Sequence, residues 1–95
     1  MSLLKLLREE DKCINECDYR KSSIEYWVNT LNEERNSLKE SELLKIREEI
    51  IFERIAREED YLEEAKRELS NVRKEIAEYF AKYIFTEREE KRNDS

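Results

Sequence analysis

Two cysteines, Cys13 and Cys17, are the residues of this chain whose chemistry is most versatile, and they lie four positions apart. On a helix, that spacing places both thiols on one face. A zinc site would need two more thiolates from a second chain, and a redox switch would need an exposed thiolate with basic neighbours. We therefore interpret the pair as buried apolar groups in a reducing, cytoplasmic setting.

Groups suited to catalysis are otherwise scarce. The chain contains no His and no Gly, which excludes the most common general base and any glycine-rich phosphate loop. Carboxylates are dense over residues 58–64, but they lack companion metal ligands and are typical of a solvated helix surface. The sequence predicts no catalytic, cofactor-binding or metal-binding residue, and we expect a protein that is not an enzyme.

Composition favours long helices. Charged residues make up 46% of the 95 residues and apolar residues 38%, and Pro and Gly are both absent. Elongated helices tolerate this balance because each buries only a stripe. The net charge is −6, with both signs mixed along the chain. We expect no nucleic-acid partner, because no basic stripe is present, and no membrane span, because no apolar run approaches about 20 residues.

Residues 43–85 predict one long helix. Apolar residues recur there at steps of three and four, with Glu58 at the one missing place. This spacing is typical of a helix whose apolar stripe, or seam, faces another helix. The apolar seam positions are Ile51, Ile55, Leu62, Ala65, Leu69, Val72, Ile76, Tyr79 and Tyr83.

Residues 3–35 predict a second helix with its own seam. The same phase continues across Ser22 and Ser23, so we interpret these two serines as a weak point within one helix. The apolar seam positions are Leu3, Leu6, Cys13, Cys17, Ile24, Trp27 and Leu31.

Three charged residues, Glu10, Arg20 and Glu58, interrupt the two seams. They mark either weaker layers, from which long side chains reach solvent, or contacts that fix register or partner choice. The length of these side chains favours the first interpretation.

A turn is predicted within residues 36–41. The phases of the two seams differ by about three residues across this segment. One straight apolar stripe therefore cannot join them. Asn36, Ser37 and Ser41 are good helix N-caps, and Ser37 with Glu40 forms a capping-box pattern. A connection this short joins antiparallel helices.

The predicted fold is therefore all-α, with a single domain over residues 1–92. It is an antiparallel helical hairpin of long, coiled-coil-like helices at about residues 3–35 and 41–88. The polar segment 89–95 is predicted to be a frayed tail.

The hairpin leaves one end uncovered. Folding about residues 38–40 places residue i roughly opposite 78 − i, so the second helix outruns the first. A lone hairpin cannot bury the apolar residues there, and we expect a helical bundle built by a homodimer or by docking on another helical protein. The residues expected to bind the partner are Leu3, Leu7, Tyr79, Phe80, Tyr83, Ile84 and Phe85.

The expected function is therefore that of a non-enzymatic coiled-coil protein acting through protein–protein interaction, by self-assembly or as a subunit or adaptor of a larger helical complex. The alternative is a small acidic regulator or inhibitor, such as one encoded by a virus or phage, that binds a host protein.

Overall fold

The computed structural model describes residues 2–93 of the chain, and the side chains of residues 2–84. Helix α1 spans Leu3–Leu38 and helix α2 spans Glu42–Asn93. Early residues of α1 meet late residues of α2, as in the ion pair between Glu10 and Arg73, so the helices are antiparallel. The principal dimensions are 80 × 16 × 16 Å. The predicted all-α helical hairpin is confirmed.

Helix α1 is continuous. The hydroxyl of Ser2 caps its start by accepting a hydrogen bond from the N–H of Lys5 at 3.3 Å. The helix passes through Ser22 and Ser23 without a break and ends at Leu38, beyond the expected limit near residue 35. Leu38 is half-buried, and it lies one heptad after Leu31 on the same seam. Packing of this side chain explains the additional turn of helix.

The turn comprises residues 39–41. Lys39 has a φ of 51°, a conformation that glycine adopts more readily. Ser41 caps α2, because its hydroxyl accepts a hydrogen bond from the N–H of Leu44 at 3.1 Å. The capping-box pattern of Ser37 and Glu40 does not start a helix here, since Ser37 lies within α1.

Helix α2 is 52 residues long and ends at Asn93, not near residue 88 as the sequence suggests. Residues 89–93, which the sequence assigns to a frayed tail, are thus helical, and residues 94–95 lie outside the described part of the chain.

The core is one seam between the two helices. Ile51 is fully buried, with 0% of its surface exposed, whereas its neighbour Ile50 is 45% exposed. This contrast follows from the helical rotation of about 100° per residue. The buried apolar residues are Leu6, Cys13, Cys17, Leu31, Leu44, Ile51 and Ala65. All occupy the heptad positions of the two predicted seams.

The charged residues that interrupt the seams bind each other or a neighbour across the helix pair. Arg20 Nη1 lies 2.9 Å from Glu58 Oε2, and Arg73 Nε lies 3.1 Å from Glu10 Oε2. Glu58 is only 9% exposed. The interpretation that favoured single side chains reaching solvent is therefore wrong for Arg20 and Glu58. The reason is that the register pairs residue i with residue 78 − i, which places the opposite charges of Arg20 and Glu58 in the same layer.

Two cross-helix ion pairs lie next to the turn. Arg47 donates three hydrogen-bond contacts of 2.8–3.1 Å to the Glu34 carboxylate, and Arg35 Nε lies 2.8 Å from Glu48 Oε1. The hydrogen bonds from Arg47 lower the pKa of the Glu34 carboxyl. The contribution of this pair to stability is therefore present at neutral pH and is lost as the pH falls through that lowered pKa.

Candidate protein-interaction site

The two helices differ in length, and the difference creates the candidate site. Helix α1 has 36 residues and α2 has 52. In the register where Arg20 contacts Glu58, Leu3 lies opposite Ile76. About 17 residues of α2, from 77 to 93, therefore project beyond α1, a length of about 25 Å. We call this part of α2 the overhang.

Four large apolar residues lie exposed on the overhang. Tyr79 and Tyr83 continue the α2 seam past the end of α1, while Phe80 and Ile84 lie beside it. Their exposed fractions are 39% for Tyr79, 44% for Phe80, 58% for Tyr83 and 48% for Ile84. The rings of Tyr79 and Phe80 pack edge to face, with centroids 6.4 Å apart. We call these four residues the open-end cluster.

The N-terminal leucines flank the cluster unequally. Leu3 is half-buried at the end of the seam, one helical turn before Tyr79. Leu7 is exposed, but the register places it about 12 Å back along the rod from Phe80. Leu4, which the sequence analysis did not select, is 59% exposed. The side chain of Phe85, the remaining expected contact, lies outside the described residues.

The open-end cluster suits a helical partner. Four side chains of this size expose on the order of several hundred Å² of apolar surface. Exposed apolar patches of that size are more often binding sites than functionally neutral surface. The cluster covers the seam and one flank of α2, an arc wider than a single neighbouring helix fills.

A second exposed apolar set near the turn was missed by the sequence analysis. Leu43, Ile46 and Ile50 are all at least 45% exposed. Their spacing of three and four residues places them on one face of α2, away from the seam. The spacing is visible in the sequence, but the expected binding residues were limited to the end of the hairpin where α2 is the longer helix.

The two thiols lie inside the seam, where little of either side chain reaches solvent. Cys13 is 6% exposed and borders a groove of about 300 Å³ that Glu16, Glu64 and Glu68 also line. Burial raises the pKa of the Cys13 thiol, and the carboxylates of Glu68 and Glu9 raise it further. A thiol that stays protonated to higher pH is a poor nucleophile at neutral pH. Within the described residues, no three His, Cys, Asp or Glu side chains gather in a way that could hold a metal ion.

We predict that both thiols react slowly with a thiol reagent in the folded protein, about tenfold or more below the rate in the unfolded chain. Cys13→Ala and Cys17→Ala should each lower the free energy of unfolding by about 1 kcal/mol, because each removes one small buried group. Reagent kinetics at pH 8, with and without urea, and urea melts of both variants are the measurements. Fast labelling of the folded parent would show that the seam is open here.

Neither helix contains, within the described residues, a stretch long and apolar enough to cross a membrane. No protein-family model, curated protein or solved structure matches the chain. The fold and the exposed residues define its class as an all-α helical hairpin whose longer helix carries an exposed apolar cluster beyond the end of the shorter helix.

Proposed function

We propose that this chain is a non-enzymatic assembly protein that binds a second copy of itself through the open-end cluster. The observation that carries the proposal is the exposure of Tyr79, Phe80, Tyr83 and Ile84 on a part of α2 that has no α1 beside it.

The cluster continues the seam that α1 covers elsewhere, so its natural occupant is another helix with an apolar stripe. The overhang of a second copy is such a helix. When two overhangs lie antiparallel about a twofold axis, each supplies the neighbour that the other lacks. The wide arc of the cluster favours further contact with the leucines at the start of α1 in the partner, which makes a four-helix junction.

The open-end cluster is large enough to form the apolar centre of a dimer interface. Stable interfaces bury about 800 Å² per partner, and weaker ones bury less. The open-end cluster with Leu4 supplies several hundred Å² of apolar surface per copy, to which polar residues of the overhang add. Because the apolar part is smaller than a standard interface, we expect a dimer of micromolar affinity.

The test is sedimentation equilibrium of the full chain from about 1 to 100 µM. The expected result is reversible conversion from monomer to dimer within this range, or a dimer at every concentration tested. Circular dichroism at the lowest concentration establishes whether the monomer is folded. A folded monomer over the whole range would contradict self-assembly and would favour the alternative, an acidic regulator that needs a different protein.

A further inference from the structure

Arg20 and Glu58 form the most elaborate polar contact of the described seam. Besides its contact of 2.9 Å with Glu58, Arg20 donates a hydrogen bond of 2.8 Å from Nε to Glu16. Its guanidinium carbon lies 4.5 Å from the ring centre of Tyr61 and 5.2 Å from that of Tyr19. The guanidinium is thus held by two carboxylates and two aromatic rings.

The apolar residues of the hairpin do not determine one register by themselves. Both seams repeat every seven residues, so a slip of one heptad again places seam residue against seam residue. In the slipped arrangement where i faces 85 − i, Leu6 lies opposite Tyr79 and Leu3 lies beside Tyr83. That arrangement would cover part of the open-end cluster with the chain's own α1.

The turn sequence restrains such a slip only weakly. Residues 34–43 are rich in Ser, Asn, Lys and Glu, and they offer several alternative caps. A turn centred near residue 42 or 43 would serve the slipped hairpin at the expense of one turn of α2.

The charged pair opposes both neighbouring registers. In the register that covers the cluster, Arg20 lies opposite Ala65 and Glu58 lies opposite Trp27. In the opposite slip, Arg20 lies opposite Ile51 and Glu58 lies opposite Cys13. Either slip leaves both charges in the seam without each other. The loss of a partner is most destabilising for the buried Glu58, and less so for Arg20, whose side chain is 22% exposed.

We propose that the Arg20–Glu58 pair determines the register of the hairpin and thereby keeps Tyr79 and Tyr83 uncovered for binding. Buried polar pairs that specify register at some expense of stability are known from coiled coils. This inference builds on the proposed function, but its test reads distances within one chain and is independent of association.

The experiment compares the parent with Arg20→Leu/Glu58→Leu by electron paramagnetic resonance. Spin labels are attached at the exposed positions Lys5 and Glu53 through an unnatural amino acid, which leaves both cysteines in place. In the observed register the labelled positions are about 30 Å apart along the rod, and in the slipped register about 40 Å. Labelled protein is diluted in unlabelled protein, so that only distances within one chain are read.

The parent is expected to give one distance, and the double leucine variant a second population about 10 Å longer, with an equal or higher melting temperature. The reversed pair Arg20→Glu/Glu58→Arg is the matched control. It should retain the single short distance, because opposite charges again meet only in the observed register.

A single unchanged distance in a folded double leucine variant would overturn the proposal. A new population with a label-to-label distance shorter than the parent's would also overturn it. That distance reports the opposite slip, which leaves the cluster uncovered. If the distances behave as expected while the parent never dimerises, the register role stands and the proposed function alone fails.

Discussion

Ile51→Ala is expected to lower the free energy of unfolding by about 3 kcal/mol, the largest loss from a single truncation in this chain. Among the side chains that the structure describes, Ile51 is the largest that is fully buried, with 0% of its surface exposed. The register places it opposite Trp27, which the Arg54 guanidinium approaches at 5.1 Å from the ring centre. A cavity at this layer cannot collapse easily between two helices held by ion pairs on the turn side. Urea denaturation followed by circular dichroism at 222 nm measures the change.

Ile50→Ala is the matched control, because it removes the same atoms one position along the same helix. Ile50 is 45% exposed, so the variant should change stability by less than about 1 kcal/mol. Alanine also has the higher helix propensity, which offsets part of any loss. If both variants lost the same free energy of unfolding, α2 would not present Ile51 to α1, and the core could not lie along the seam that contains Ile51.

The buried seam was predictable from the sequence because its cause is local. Apolar residues at steps of three and four can face only one direction on a helix, whatever the rest of the chain does. Ile51, Leu44 and Ala65 are buried for this reason. The hairpin followed from a change of phase between the two stripes, which is also a local property.

The limits of the turn were less predictable. Asn36, Ser37 and Ser41 have similar capping chemistry, so local preference alone does not choose between them. Packing decides between them. Leu38 extends the α1 seam one heptad beyond Leu31, which keeps Ser37 in the helix and leaves Ser41 to cap α2.

The pairing of Arg20 with Glu58 could have been inferred and was not. Each charge was judged by its own length and its access to solvent. The register i to 78 − i already placed them opposite each other, and their opposite signs make the layer favourable. The partner of Glu10 was harder to predict from the sequence. Arg73 lies off the seam, and its side chain reaches Glu10 diagonally across the helix pair.

The candidate site was predicted in part. The overhang follows from unequal helix lengths, and it exposes Tyr79, Phe80, Tyr83 and Ile84 as the sequence suggests. The set formed by Leu43, Ile46 and Ile50 was missed, because α1 lies beside α2 at that end and no difference in helix length points to it. Variants of both surfaces are therefore needed to decide which one forms the interface between copies.

Phe80→Ala combined with Ile84→Ala is expected to weaken self-association at least tenfold, or by about 1.4 kcal/mol. Both side chains are nearly half exposed, so little burial within the hairpin is lost, while large apolar anchors often carry most of an interface's energy. Helix content should stay close to that of the parent, because alanine favours helix and both positions lie beyond the end of α1. Sedimentation equilibrium beside circular-dichroism melts separates the two effects.

Leu43→Ala combined with Ile46→Ala is the control from the other end of the rod. It also truncates two exposed apolar side chains on α2, each 55% exposed, and should leave the dimer intact. If this control weakens the dimer while the Phe80 and Ile84 variant does not, the interface lies beside the turn. If neither variant changes an association that the parent shows, both apolar ends are excluded. The contact would then have to lie between the two ends, where exposed apolar side chains such as Tyr26 stand among charged ones. A contact made mainly by the charged residues would weaken with added salt.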